Sequence, residues 1–186
     1  MKSHKAAVRY SKAWIDLAIE RGDIESCYND VNLVLSVLAE NKELKVMLKS
    51  PVIKQDTKAK ILSKIFGSKI NKLTNSFVEI LVRKRREFLL ESICKSYVDR
   101  YKAHHHIVTA EIASAIQLDG AERERIIAIA NSINSGKIEL NEEINSELIG
   151  GFILQVGDKQ LDESISRKLS IIKREISQNH YTVKNN

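Results

Sequence analysis

The spacing of apolar residues changes once along the chain, and this change constrains the fold more than any other feature. Up to about residue 103, apolar residues recur at helical spacing in one segment after another, as Ile93, Tyr97 and Tyr101 do. From Ile107 to Ala115, β-branched and small residues follow one another, which is typical of a strand. The sequence therefore predicts a helical part followed by a part that contains a sheet.

Glycine, proline and a basic segment divide the first part into six predicted helices. Gly22 is expected to end the first helix, and Asp23 can cap the second. Ser50-Pro51 separates a short third helix from the fourth, since proline disfavours helix at the residue before it. Gly67 ends the fourth helix, and Arg83–Arg86 separates the fifth from the sixth. The predicted fold class is mainly α, a six-helix bundle followed by a small α/β domain.

The fifth helix carries more apolar residues than one core stripe needs. Its predicted stripe consists of Leu73, Phe77, Ile80 and Leu81. Val78 and Val82 lie off this stripe. They are therefore expected to be spare apolar residues that can meet a partner.

After residue 105 the pattern predicts a β-α-β-β-α unit, so the predicted domains are 1–105 and 106–186. Its strands are expected at 107–115, 137–141 and 151–157. Gly150 and Gly151 indicate a tight turn where one backbone segment passes close to another. Asp162 is expected to cap the last helix, and the tail is expected to be frayed from about residue 177.

Residue patterns that would support chemistry are missing. The glycines near residue 150 lack the Gly-Lys-Ser/Thr ending of a phosphate loop, and they bound a strand instead of opening a helix. His104, His105 and His106 point in different directions on a helix, and no neighbouring residue completes a tetrahedral metal site. We therefore expect no catalytic residue, no metal, no cofactor and no enzymatic activity.

Positive charge is concentrated in the first part of the chain. Lys and Arg exceed Asp and Glu by 9 over residues 1–105, whereas Asp and Glu are in excess by 3 over residues 106–186. This imbalance and the Arg83–Arg86 cluster leave one alternative open, a basic helical bundle that binds RNA or resembles a transcription factor. No aromatic residues interleave with the cluster as stacking platforms for bases would, and the cluster also suits the end of a helix.

No segment approaches the roughly 18 consecutive apolar residues that cross a bilayer.

Residues 8–13 of the chain are Val-Arg-Tyr-Ser-Lys-Ala, and residues 144–152 are Ile-Asn-Ser-Glu-Leu-Ile-Gly-Gly-Phe. These two segments resemble the family of ATP synthase delta subunits, which includes the mitochondrial oligomycin-sensitivity-conferring protein. The first is similar to the Ala-Arg-Arg-Tyr-Ala-Lys-Ala opening of that family, and the second resembles its Val-Asp-Pro-Ser-Leu-Ile-Gly-Gly-Phe. The resemblance runs from about residue 6 to residue 176. The residues of the late motif and of its downstream spacing are Leu148, Ile149, Gly150, Gly151, Phe152, Gly157 and Asp162.

The resemblance implies a non-catalytic stator subunit, present once per complex, that ties the catalytic head to the peripheral stalk so that rotor torque drives ATP synthesis. In this family the first and fifth helices receive the N-terminal helix of alpha subunits, and the C-terminal domain meets b-type stalk subunits. Expected alpha-binding residues are Tyr10, Ala13, Trp14, Val78 and Val82. No nucleic acid partner is expected.

The expected location is the cytoplasmic face of the cell (inner) membrane, with the membrane reached only through the proton-translocating complex. The chain opens without a transit-peptide pattern, which favours a bacterial form over the mitochondrial one.

Overall fold

The computed structural model describes residues 2–134 and 136–179, which form eight α-helices and one four-stranded sheet. The chain divides into two compact units, Met1–His104 and His105–Asn186. All four strands lie in the second unit. A mainly helical fold with a small sheet in its C-terminal part is therefore confirmed.

The described residues of the first unit form six α-helices and one 3-10 turn. They are α1 (Lys2–Arg21), α2 (Ile24–Glu40), α3 (Lys42–Lys49), α4 (Gln55–Phe66), α5 (Lys72–Arg83), the 3-10 turn (Glu87–Leu89) and α6 (Leu90–His104). Gly22 ends α1 as predicted, with φ 72°, and the N–H of Asp23 donates to the carbonyl of Ala18 at 2.9 Å. The side chain of Asp23, however, makes no capping hydrogen bond to α2.

Aromatic rings from three helices meet in the core of the first unit. Trp14 on α1 is 1% exposed, and its ring stacks on Phe77 of α5 with the centroids 4.2 Å apart. Trp14 also contacts Tyr97 of α6, with the ring centroids 4.8 Å apart. Large rings bury much apolar area each and so dominate such a core. The whole predicted stripe of α6 is buried: Leu90, Ile93, Cys94, Tyr97 and Tyr101.

Two buried polar contacts join helices that are distant in sequence. Lys58 on α4 donates to Glu87 Oε1 at 2.6 Å, and the side chains of this pair are 3% and 7% exposed. Asp30 on α2 accepts from Thr74 Oγ1 at 2.6 Å and so contacts the first turn of α5. Buried charges of this kind persist only where partners satisfy them.

Helix α5 turns a different face to the core than the sequence predicts. Val78 and Val82 are each only 4% exposed, whereas Ile80 is 39% exposed. The expectation that the two valines are spare outward-facing residues is therefore wrong. The reason is that α5 has neighbours on two sides. Phe77 contacts α1, and the two valines line a groove shared with α4.

The second unit is a mixed sheet with the strand order β2-β1-β3-β4. Its strands are β1 (Ile107–Ser114), β2 (Lys137–Ile144), β3 (Phe152–Val156) and β4 (Lys159–Asp162). Helix α7 (Gly120–Ile133) connects β1 to β2, which are parallel, while β3 is antiparallel to both β1 and β4. Helix α8 (Ile165–Asn179) follows the sheet. The buried core of this unit consists of Ala110, Ile112, Ile126, Ala130, Leu154 and Val156.

Strand β4 was not predicted, and its presence changes the role of Asp162. Gly157 has φ 57° and opens a two-residue turn, after which Lys159 pairs with Val156. Asp162 therefore ends a strand and does not cap α8. The cap is Ser164, whose Oγ accepts from the N–H of Arg167 at 3.2 Å. The helix continues to Asn179, past the predicted onset of fraying at 177, and residues 180–186 lie outside the described residues.

Replacing Gly151 by Ala is expected to destabilise the second unit more than replacing Gly157. Both glycines have positive φ, 78° and 57°, and a left-handed non-glycine residue costs roughly 1–2 kcal/mol. A Cβ on Gly151 would also lie 2.4 Å from the backbone oxygen of Glu163, whereas a Cβ on Gly157 meets no atom within 4 Å. Urea unfolding followed by circular dichroism measures both losses, and equal losses would contradict the close approach at Gly151.

Candidate functional site

An exposed apolar face lies along one edge of α1 and α5. The ring of Tyr10 meets Phe77 edge-on, with the centroids 6.4 Å apart. By helical spacing, Ala13 and Leu17 continue the edge of α1, and Ile80 lies one turn beyond Phe77 on α5. Leu17 is 36% and Ile80 is 39% exposed. These five residues are called the α1–α5 face below.

A groove adjoins this face at the N-terminal half of α1. One wall is α1, the other is the segment that follows α5, and the groove encloses about 570 Å³. Phe88 in this segment is 47% exposed, so the groove offers apolar surface as well as charge. Its lining residues include Ala6, Arg9, Tyr10, Ala13, Arg86 and Phe88.

Arg86 is held against Tyr10 at the edge of the groove. Its guanidinium lies over the Tyr10 ring, 5.3 Å from the centroid, and donates a hydrogen bond to the Tyr10 hydroxyl. The preceding residue, Arg85, has φ 56°, and the N–H of Arg86 donates to the carbonyl of Leu81 at 2.8 Å. This left-handed ending of α5 sets the direction in which the chain leaves the helix and brings Arg86 to Tyr10.

The structure brings together only two of the five residues predicted to bind a partner helix. Tyr10 and Ala13 lie on the α1–α5 face. Trp14 is buried beneath it and stacks on Phe77, so it supports the face without offering surface. Val78 and Val82 lie on the α4 side of α5. The sequence did not identify Leu17, Phe77 and Ile80 as surface residues. Their helical spacing is equally typical of a stripe that faces the core.

A second apolar surface runs along α8. The described side chains of this helix, from Ile165 to Ser177, are all exposed. Four of its apolar residues recur at helical spacing and so form one stripe. They are Ile165, Leu169, Ile172 and Ile176, which are 42%, 56%, 51% and 57% exposed.

The predicted glycine turn anchors the first residue of α8. The N–H of Ile165 donates to the carbonyl of Gly150 at 3.0 Å, and the Ile165 side chain lies where a Cβ on Gly150 would be only 2.5 Å away. Phe152 packs against the core of the second unit, Leu148 is half-buried and Ile149 is 74% exposed. The expectation that the glycines mark a close backbone approach is confirmed.

The two buried cysteines and Asp162 have displaced pKa values. Burial raises the pKa of the Cys94 thiol to about 12, and burial chiefly raises that of Cys27. Both thiols therefore stay protonated near neutral pH and are poor nucleophiles. Hydrogen bonds from Ser164 lower the pKa of Asp162. Within residues 2–134 and 136–179, no group of three or more His, Cys, Asp or Glu could hold a metal ion.

Helices of the described chain lack the combination of length and apolar character that crossing a membrane requires. The described chain presents two exposed apolar helical surfaces, the α1–α5 face and the stripe of α8.

Residues 6–176 match the family model described as "ATP synthase delta (OSCP) subunit". The chain belongs to this family. Among its delta-subunit relatives, the ATP synthase subunit delta of Cytophaga hutchinsonii is 33% identical over 96% of this chain and 97% of that protein. That of Chlorobium phaeobacteroides is 31% identical over 96% and 99%.

The fold is also that of a solved structure. A chain of the Toxoplasma gondii mitochondrial ATP synthase hexamer superposes with a TM-score of 0.71 over 91% of this chain and 96% of that one, at 20% identity. Membership of the delta (OSCP) family makes the protein a non-catalytic stator component of the peripheral stalk of F-type ATP synthase. The alternative of a basic RNA-binding bundle gains no support.

Replacing Arg85 by Gly is expected to stabilise this delta-family protein by about 1 kcal/mol, because glycine adopts a positive φ without the steric cost that arginine meets. The matched control is Lys84→Gly, one residue earlier, where φ is −87° and glycine brings no such relief. Thermal unfolding followed by circular dichroism should show a higher Tm for the first variant and an unchanged or lower one for the second. A lower Tm for Arg85→Gly would contradict this account of the turn.

Proposed function

We propose that this protein ties the catalytic head of the synthase to its stalk by holding one helix on each unit. The first unit, with its six helices acting as a single bundle, binds the N-terminal helix of an alpha subunit. The second unit binds b-type stalk subunits. One observation supports this division: each unit leaves an exposed apolar helical surface that its own side chains do not cover.

The alpha helix would lie on the α1–α5 face. Burying the exposed parts of Leu17, Ile80 and Tyr10 contributes about 25 cal/mol per Å² of apolar area. Trp14 lies directly beneath and stacks on Phe77, so the face is backed by a buried ring and loses little conformational freedom on binding. The resemblance to delta subunits, in which the first and fifth helices receive alpha, points to the same edge of the unit.

The stalk would meet the stripe of α8. A single helix of this length is marginally stable in water, since most helical stability comes from packing of an apolar face. A b-type helix laid along Leu169, Ile172 and Ile176 would supply that packing. The glycine turn at Gly150 would then transmit force from α8 to the sheet.

Two attachments on one chain reinforce each other. Once one unit is bound, the other meets its partner at an effective concentration set by the tether, which raises the combined affinity without new contacts. A stator needs this property because the head must not turn with the rotor while protons drive rotation. We further propose that the protein works at the cytoplasmic face of the membrane and reaches the membrane only through the complex.

The alpha site is tested by Ile80→Asp. This change places a charge on the α1–α5 face, and desolvating that charge should weaken binding of a peptide covering the alpha N-terminal helix by about tenfold or more. Isothermal titration calorimetry measures the affinity. Val46→Asp is the matched control, because Val46 is 68% exposed on α3 and lies off the face. Val78→Asp would not serve, since Val78 is buried and the variant is expected to unfold.

Equal affinities of the Ile80→Asp variant and the unaltered protein, with normal helicity in both, would exclude the α1–α5 face as the alpha site.

The stalk site is tested by Leu169→Asp on the α8 stripe. Binding of a soluble C-terminal fragment of the b-type subunit should weaken by about tenfold or more, for the same desolvation reason. The control is the adjacent Ser170→Asp, which adds the same charge at an exposed position off the stripe. Surface plasmon resonance compares the two variants, and an equal loss for both would mean that charge alone, and not the stripe, governs binding.

A further inference from the structure

We propose that Arg9 and Arg86 receive a carboxylate of the docked alpha helix, and that this ion pair sets the direction in which the helix lies. The inference rests on the proposed binding of alpha to the α1–α5 face, which shares Tyr10 and Ala13 with the groove. It adds a charged recognition site and an orientation to that apolar contact.

The described lining of the groove carries positive charge and contains no Asp or Glu. Arg9 and Arg86 are the charged residues of its lining, and both are exposed. In the described part of the chain, no Asp or Glu lies within ion-pair distance of either guanidinium. A carboxylate brought by another chain would therefore meet two unpaired cations and would displace no internal partner.

Arg86 is already positioned for such a ligand. Its guanidinium rests on the Tyr10 ring and bonds to the Tyr10 hydroxyl, which limits the rotamers of a long and otherwise mobile side chain. A guanidinium offers five donors in a planar fork, so one hydrogen bond to Tyr10 leaves donors for a carboxylate. Because the side chain is ordered before binding, less conformational entropy is lost when the ion pair forms.

Positive charges lie at one end of the groove and the α1–α5 face, and negative charges lie toward the other end. Tyr10, in the N-terminal half of α1, contacts Arg86, which follows the end of α5. Arg9 and Arg86 line the same groove, so the cations lie toward this end of α1. Further along the same outer edge of α1 lie Asp16 and Glu20. A helix docked in reverse would bring its carboxylate to these acids, and like charges at close range disfavour that orientation.

The test uses the full chain and a synthetic peptide covering the N-terminal helix of the same organism's alpha subunit. Arg86→Gln should weaken binding by about fivefold to tenfold, since charge-assisted hydrogen bonds are lost. Lys84→Gln is the matched control. It removes the same charge from the same basic cluster but from a residue that does not line the groove, so affinity should be nearly unchanged. Arg86→Lys, which keeps the charge but loses the fork, should give an intermediate value.

Peptides with each Asp or Glu replaced in turn by Asn or Gln locate the carboxylate. One replacement should weaken binding to the unaltered protein and have no further effect on Arg86→Gln. A nitroxide is then attached to the end of the peptide nearer to this carboxylate. It should broaden the amide NMR signals of Ala6 and Arg9 more than those of Leu17 and Glu20. The reverse pattern would overturn the proposed orientation.

The outcomes separate the two proposals. Equal losses for Arg86→Gln and Lys84→Gln would overturn the carboxylate site, and a retained effect of Ile80→Asp would leave the alpha site standing. A peptide that does not bind the unaltered protein would overturn both. Circular dichroism checks that Arg86→Gln is folded. If it is not, Arg9→Gln on the opposite wall takes its place, with the same expected loss.

Discussion

The buried ion pair between Lys58 and Glu87 fixes the position of the segment that follows α5. This segment is one wall of the groove beside α1. Lys58 Nζ also donates to the carbonyl of Leu48 at 3.0 Å, so one ammonium joins the end of α3, α4 and the 3-10 turn before α6. Glu87 Oε1 accepts from Lys58, while Glu87 Oε2 has no hydrogen-bond partner among the described residues, so Lys58 is the cation on which this carboxylate depends. Breaking a buried pair by removing one partner costs about 3–5 kcal/mol. Because Glu87 lies between Arg86 and Phe88, the pair that stabilises the core also fixes the groove wall.

The α1–α5 face is the outer edge of the aromatic stack that fills the first unit. From inside to outside, Tyr97, Trp14, Phe77 and Tyr10 contact one another in turn. The innermost rings are fully buried and the outermost ring carries Arg86. A partner helix would therefore rest on a surface whose geometry the core dictates. In the second unit the relation is different, because α8 is fixed at Gly150 and exposes its stripe along the rest of its described length.

Sequence periodicity predicted the helix whose buried residues form one narrow stripe and failed on the helix whose buried arc is wider. The stripe of α6 was predicted in full because all of its buried apolar residues recur at helical spacing on one face. On α5 the same reasoning misplaced Val78, Val82 and Ile80, because a helix covered on both flanks buries more of its circumference than one stripe. Lys58 could not be foreseen as a core residue, since its partner Glu87 is remote in sequence. Strand β4 was not predicted because a glycine such as Gly157 is typical of the end of a strand. Here it begins the two-residue turn that leads into β4.

The contact between α1 and α6 has a consequence for how the chain is made. Trp14 completes its ring contacts only when Tyr97 is available, and Tyr97 lies near the end of the first unit. At a translation rate of roughly 5–20 residues per second, several seconds pass between the synthesis of the two. During that interval the tryptophan side of α1 has no α6 to cover it, and transiently uncovered apolar surface is what makes incompletely folded chains prone to aggregate.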